Sequence, residues 1–444
     1  MIKPALNSVD TQFEVLLQDL PLELVDSARE FRAFTRARKI KTPQELLRVV
    51  LLYCGLDQSL RTVAGNLTLL DEQITDSSVM ARLKACEPWV KALLPQLLPP
   101  LPPLPPLPLL PAGYRLSVID GSSIEAPGAN GTDYRLHLRL DLVSLTFLEI
   151  VVTDVHTAES LRHFSLKAGD IALVDRGYCQ PAALVEAHQQ GADWIVRWNS
   201  GIPLWTPTGE EIDLVATLKQ LPPTQVIVTQ AVQVGPAGST ERVAATLHAC
   251  RLPEAQANAA RRRCRRQAQK KGKTVRAATL YLAGWVIVVT TLDPAVWTAE
   301  TILALYRVRW QVEIAIKRWK SLLDVGRLRA KAEGTLASLW LHGKLLYALL
   351  LERRCRRLGG DQWGYLDESR QGTWWRSWHL MTSWMVTAIS GVTRWKESQW
   401  SACIEVMKER PRRRQLQTLP AAVQQLILLA GGAANVPSSV LLAA

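Results

Sequence analysis

The sequence predicts an α/β fold, a mixed sheet with helices on its faces, preceded and followed by helical regions. Three observations carry that prediction. Apolar periodicity is helical up to a proline-rich stretch, Leu93 to Pro111, and strand-like after it. The strand-like part then runs as three strands, helix, strand, helix, strand, an order that suits a mixed sheet with helical layers. Beyond Leu322 the chain reads as helices rich in Trp and Arg.

The elements follow in order. "TPQELLRVVLLYCG" opens with Thr42 as N-cap, Pro43 in the first turn and Glu45 closing a capping box, then shows helical periodicity. "QSLRTVAGNL" and "SSVMARLKAC" form two further short helices around "TLLDEQITD". The three are either a helix-turn-helix, with Ser78 to Lys84 entering a DNA groove, or a small bundle that only packs. "LLPQLLPPLPPLPPLPLLP" cannot be a continuous helix, because proline lacks the amide donor and clashes with the preceding turn. It reads as a semi-rigid polyproline linker, with a ligand for a proline-binding groove as the alternative.

"YRLSVID", "YRLHLRLDLVS" and "FLEIVVTDV" are strands, and "AESLRHFSLKAG" suggests a helix. "DIALVDRGY" is a buried strand ending in a turn, "PAALVEAHQQG" a helix with a glycine stop, and "DWIVRWN" another strand. From Ser200 to about Leu280 the strands "QVIVTQAVQVG" and "TERVAATLHACRL", followed by the basic "RRRCRRQAQKKGK", read as an insertion. "LYLAGWVIVVTT" returns to strand and leads through "TAETILALY" into a helix. The expected organisation is a helical DNA-binding region over 1–92 and a linker over 93–113. A first core segment covers 114–199, a β-rich basic insertion 200–280, a second core segment 281–345 and a helical C-terminal region 346–444.

With 444 residues, 48% of them hydrophobic, the chain is globular rather than disordered. A formal charge of +13 and a pI near 9.6 point to a polyanionic partner, nucleic acid ahead of an acidic membrane. Cys54, Cys86, Cys179, Cys250, Cys264, Cys355 and Cys403 are odd in number and lack CxxC spacing, which fits reduced cytosolic thiols better than a disulfide frame or zinc site. No signal-peptide core and no run of 18 apolar residues occurs; "LWLHGKLLYALLLE" is interrupted by His342 and Lys344.

The stretch "YRVRWQVEIAIKRWK" sets one carboxylate, Glu313, among five cations. As a helix at about 100° per residue it brings Tyr306, Arg309, Glu313 and Lys320 within roughly 60° of each other, beside a separate apolar stripe of Val308, Val312, Ile316, Trp319 and Leu323. Asp120, in "SVIDGSSI", and Asp175, in "LVDRGY", end buried strands, where open sheets present site residues; the bland alternative is a pair of capping aspartates. Three converging carboxylates repel one another unless cations sit between them. Hard oxygen ligands without His or Cys suit magnesium or manganese rather than zinc, and two such ions would drive in-line attack on a phosphodiester. Arg309 and Lys320 would then hold phosphates.

The Y-x2-R-x3-E-x6-K spacing of Tyr306, Arg309, Glu313 and Lys320 resembles the signature of the fourth family of insertion-sequence transposases, and "DGSS" and "DRGY" resemble that family's other blocks. The resemblance spans roughly Tyr114 to Tyr347. It implies a ribonuclease H-like core of the retroviral-integrase type and an Asp-Asp-Glu triad that cleaves transposon ends and joins the 3′ strand to target DNA. Carried over, it makes Asp120, Asp175 and Glu313 the catalytic ligands of two Mg2+ or Mn2+ ions, and Tyr306, Arg309 and Lys320 contacts to double-stranded transposon-end DNA. It also implies a homodimer on DNA in a cytoplasmic, nucleoid-associated protein. Trp285 stands where hairpin-forming relatives stack a flipped base, or is a core tryptophan. Arg261 to Lys273 and Arg410 to Arg414 are either phosphate-binding runs or solvated segments, and His137, His156, His163 and His188 read as structural. A nuclease without strand transfer and an inactive DNA-binding regulator are the other readings.

Overall fold

In the first element beyond the N-terminal helices α1 (Thr11–Leu17) and α2 (Leu24–Glu30), helix α3 (Pro43–Val50), Thr42 Oγ1 accepts from the Glu45 amide at 3.1 Å. The Glu45 carboxylate accepts from the Lys41 amide, one residue before the position expected of a capping box. The structure is a computed structural model that describes residues 11–69, 74–99, 114–129, 131–330, 334–359 and 374–391. Helix α3 runs on into a π-helical turn, Leu51–Gly55, before α4 (Leu60–Leu69), α5 (Asp76–Ala85) and α6 (Glu87–Leu97). Helix α6 enters the proline-rich stretch, with Pro95 in its last turn, and the chain becomes extended at Leu98. Residues 100–113 lie outside the described residues.

Eight strands form one sheet in the order β3-β2-β1-β4-β5-β8-β7-β6. They are β1 (Arg115–Ile124), β2 (Tyr134–Asp141), β3 (Phe147–Asp154), β4 (Asp170–Val174), β5 (Asp193–Arg197), β6 (Ile227–Val234), β7 (Val243–Arg251) and β8 (Trp285–Thr290). Pairing is parallel for β1 with β4 and β4 with β5, and antiparallel elsewhere. The stretch read as an insertion carries two strands that extend this sheet, since β7 pairs along the whole of β8 and β6 adds the edge. Helices α7 (Pro181–Gln189), α8 (Leu214–Lys219), α9 (Glu254–Lys270) and α10 (Ala277–Leu282) lie between these strands in the sequence. The basic run falls largely in α9, of which only Ala257 is buried.

Where a helix was expected over "AESLRHFSLKAG", the chain makes a single 3-10 turn, Leu161–His163. Leu161, Phe164 and Leu166 are all buried. An α-helix would turn Leu161 and Leu166 roughly 140° apart, so one core cannot bury both from a helix there.

Strand alternation sorts the core. Leu116 and Val118 of β1, Ile171 and Leu173 of β4 and Ile195 of β5 face one apolar layer; Ile119, Ala172, Val174, Trp194 and Val196 face the other. The first layer is shared with the N-terminal helices and with α11 (Ala299–Val308), α12 (Trp310–Leu323), α13 (Thr335–Gly359) and α14 (Trp374–Ser390). Helix α13 packs on α6 and on the π-turn, where Lys344 Nζ donates to Gly55 O at 2.9 Å and to Asp57 Oδ2 at 2.6 Å. Thus the N-terminal helices are built into the same core as the sheet. Among the described residues no helix is long and apolar enough to cross a membrane, and the described cysteines are free thiols. Cys403 and the run Arg410 to Arg414 lie outside the described residues.

Candidate active site

Parallel pairing of β1 with β4 stops at Ile119 and Val174, and β1 continues to Ile124 against β2 alone. Asp120 is therefore not the last residue of its strand, as expected, but the first beyond the parallel pairing; Asp175 is the first residue after β4. Both extend the alternation of Leu116 and Val118, and of Ile171 and Leu173, toward the layer that contains α12. Helix α12 packs on β1, and Val312, Ile316 and Trp319 are all buried as the apolar stripe predicts. That packing brings Glu313 to the same edge.

The stretch read as one helix is two. At Arg309 the Arg309 amide donates to Tyr306 O at 3.2 Å and the Val312 amide to Arg309 O at 3.3 Å, a tightening that ends α11 and starts α12. Tyr306 thus belongs to one helix and Glu313 and Lys320 to the next. Arg309, at the joint, pairs through Nη1 with Asp120 Oδ2 at 3.2 Å and through Nη2 with Glu313 Oε1. One planar guanidinium fork spans two carboxylates. Tyr306 is buried beneath it, the Arg309 guanidinium 5.9 Å from the ring centroid, and burial pushes the Tyr306 phenol up.

Asp120 keeps only 16% of its side chain exposed, whereas Glu313 keeps 55%. Burial pushes the Asp120 carboxyl up to about 6; Arg309 and the Gly121 amide, which donates to Oδ1 at 2.8 Å, oppose the shift, and the charges of Asp175 and Glu313 add to it. Asp175 Oδ1 accepts from the Gly177 amide at 2.8 Å. Among the described residues no three carboxylate, imidazole or thiolate groups make a ready metal cage, and Arg309 pairs with both Asp120 and Glu313. The donor set nevertheless fits a hard divalent cation: oxygen ligands only, partly buried, with mutual repulsion that a cation would relieve.

The remaining expected residues lie farther out. Lys320 is half-buried two turns along α12 from Glu313, lies near the charge of Glu125 and runs along Gly326. Trp285 starts β8 and is 2% exposed, with the Arg251 guanidinium 4.6 Å from its ring centroid. Trp285 is packed as a core tryptophan would be, with Arg251 over its ring. His137 is structural as expected, its ring nitrogens meeting Tyr178 Oη at 3.1 Å and Thr153 Oγ1 at 2.8 Å.

Two neighbours were not foreseen. Arg197, at the end of β5, is half-buried close enough for its charge to act on the Tyr306 phenol, and Glu159 lies near enough for the charge of Asp175 to act on it. Arg197 had a signal in being a cation ending an apolar strand; Glu159, in a stretch misread as a helix, had none.

Comparison with known proteins adds to this geometry. The profile described as "Transposase DDE domain" matches residues 111–349. The chain is 35% identical over 340 residues to the transposase for insertion sequence element IS421 of Escherichia coli, covering 75% of this chain and 90% of that protein. It is 34% identical over 339 residues, with the same coverage, to InsL of insertion sequence element IS186A in Escherichia coli strain K12. The transposase for insertion sequence element IS231F of Bacillus thuringiensis subsp. israelensis is 27% identical over 203 residues, 42% of each chain.

Proposed function

The chain belongs to the transposase DDE-domain family and is a DDE transposase acting on DNA; from that premise we propose that Asp120, Asp175 and Glu313 are its catalytic carboxylates, borne on a ribonuclease H-like core. The observation that carries the reading is the Arg309 fork, which reaches Asp120 across 189 residues of sequence and joins it to Glu313. A capping role for the two aspartates gives no reason for a helix to bring a third carboxylate to them.

Asp120, Asp175 and Glu313 would hold the divalent ions, two Mg2+ or Mn2+. When bound, these supply an activated water or 3′ hydroxyl and stabilise the leaving oxygen of the phosphodiester. Arg309, already forked toward two anions, would exchange a carboxylate for a phosphate of the transposon end, a geometry that suits a guanidinium better than an ammonium. Tyr306 supports it from below, and Arg197 keeps the surroundings positive. Lys320, two turns away, would contact the DNA backbone as a point charge, and the exposed cations of α9 would neutralise further phosphates. Joining two transposon ends calls for two copies of the chain on DNA, and a charge of +13 suits a cytoplasmic, nucleoid-associated protein.

Incubation with end-containing double-stranded DNA and Mg2+ should yield 3′ ends joined to target DNA. Hydrolysed ends without joined product would make the protein a nuclease, and binding without cleavage a regulator.

A further inference from the structure

The turn that carries Asp175 begins where the sheet stops holding it. Parallel pairing of β1 with β4 ends at Ile119 and Val174, so the strand ladder does not fix Asp175 against Asp120. Three residues on, the fully buried Tyr178 brings its hydroxyl 3.1 Å from His137 Nδ1. His137, also fully buried, stands on β2, whereas the turn follows β4, and β1 runs between them in the sheet. The residue of β1 paired with His137 is Gly121, next to Asp120, and it puts no side chain on the face that Tyr178 shares with Ile119 and Val174. The hydrogen bond therefore reaches from the Asp175 turn across the strand that bears Asp120.

The direction of each bond follows from the protons present. Burial pushes the His137 imidazole down to about 4, so above that pH the ring is neutral and carries one N–H. Thr153 Oγ1 donates to Asp154 O at 3.3 Å and so accepts from His137 Nε2, 2.8 Å away. That leaves Nδ1 as an acceptor and the Tyr178 hydroxyl as its donor. Packing explains the ring of Tyr178, which lies against Phe164 with centroids 6.5 Å apart, but not the hydroxyl. A phenylalanine would fill the same space, whereas a buried hydroxyl needs a partner, and this partner is an imidazole that needs one of its own.

The same histidine steadies the other side of the turn. His163 stacks on His137 with ring centroids 4.5 Å apart, and its Nε2 lies 2.8 Å from Ala158 O. The next residue, Glu159, crowds the turn so closely that a methyl group on Gly177 would overlap Glu159 Oε2.

We propose that Tyr178 is a positioning residue for Asp175, its hydrogen bond to His137 fixing the Asp175 turn at the distance from Asp120 that cleavage requires. This rests on the catalytic reading of Asp175 and adds to it the means by which the carboxylate is held where no strand pairing reaches.

The test is single-turnover cleavage of end-containing DNA by the full-length protein with Mg2+, alongside end affinity by gel shift and thermal melting. Tyr178→Phe should lower the cleavage rate at saturating protein by about tenfold to a hundredfold, with end affinity within about twofold of wild type. Thr153→Val strands the other ring nitrogen and should lower the melting temperature comparably, yet leave the cleavage rate near wild type. His137→Asn, whose amide falls near the place of Nδ1, should keep more of the rate than His137→Leu, which offers Tyr178 no partner. A wild-type rate in Tyr178→Phe, with cleavage lost in Asp175→Ala, overturns the role of Tyr178 alone. Near-normal cleavage by Asp175→Ala overturns the catalytic reading beneath it as well. Equal rate losses in Tyr178→Phe and Thr153→Val also overturn the proposal, since stability would then account for both. Should Tyr178→Phe fail to fold, the two His137 variants decide without touching the tyrosine, and equal rates in them overturn it.

Discussion

The two ends of the strand pair β1 and β4 carry aspartates in opposite circumstances. At the end where both strands begin, Asp170 is fully buried and paired with Arg115 at 2.7 Å and with Arg139 at 2.8 Å, and Arg139 also pairs with Glu149 at 2.9 Å. At the other end, Asp120 and Glu313 share Arg309 as their ion-pair partner among the described residues, and Asp175 adds a third negative charge near Asp120. The strands are the same, and so are their parallel register and their apolar faces. What differs is compensation. Two cations for two anions make a finished structural joint, whereas two carboxylates sharing one guanidinium beside the further charge of Asp175 leave a site that favours positive charge from outside.

The largest expected effect breaks the compensated end. Asp170→Ala would leave Arg115 and Arg139 as buried cations with too few partners, and should cost about 3–5 kcal/mol of unfolding free energy in denaturant titration. An unchanged midpoint would erase the distinction between the ends. Asp175→Ala, at the uncompensated end, should do the reverse: unfolding free energy within about 1 kcal/mol of wild type, and end cleavage reduced by about 10²–10³-fold or more on labelled DNA. Near-normal cleavage would remove Asp175 from the chemistry.

Asp120→Asn sharpens the comparison through pH. Because the folded carboxyl is raised to about 6, it binds its proton more tightly than the unfolded chain does; its contribution favours the fold at low pH and is lost as pH rises through about 6. In chelator at pH 7–8 the amide should therefore be more stable than wild type by roughly 1–3 kcal/mol, and the gain should fade toward pH 4. A gain that persists at pH 4 would mean that the carboxylate's surroundings are not the cause. The smallest effect belongs to Lys320→Ala, which should lower the slope of end affinity against salt by about one unit and leave the metal dependence of cleavage untouched. An unchanged slope would count against a phosphate contact.

How much of this could be read beforehand depends on how local the signal was. Asp120 and Asp175 announce themselves because each ends a run of apolar, partly β-branched residues, and Glu313 because it stands among cations beside an apolar stripe that the structure buries. The break at Arg309 had no such mark. No proline or glycine interrupts "YRVRWQVE", and only the two i→i+3 hydrogen bonds around Arg309 reset the helical phase so that Tyr306 supports the guanidinium from another helix. The region around β6 and β7 was legible as strands, yet strand pairing is a contact between distant residues, and periodicity does not say which sheet a strand joins.

The sequence by itself therefore determined most of the elements, the basic character and the candidates Asp120, Asp175 and Glu313, because periodicity, capping and net charge are properties of neighbouring residues. Only the tertiary structure decided that Arg309 links Asp120 with Glu313, that Trp285 is covered, and that Glu159 lies over Gly121 and Gly177. Each of these is a meeting of residues from different elements, set by how α12 and the loop before β4 pack on the sheet edge, and no local pattern in the chain encodes it.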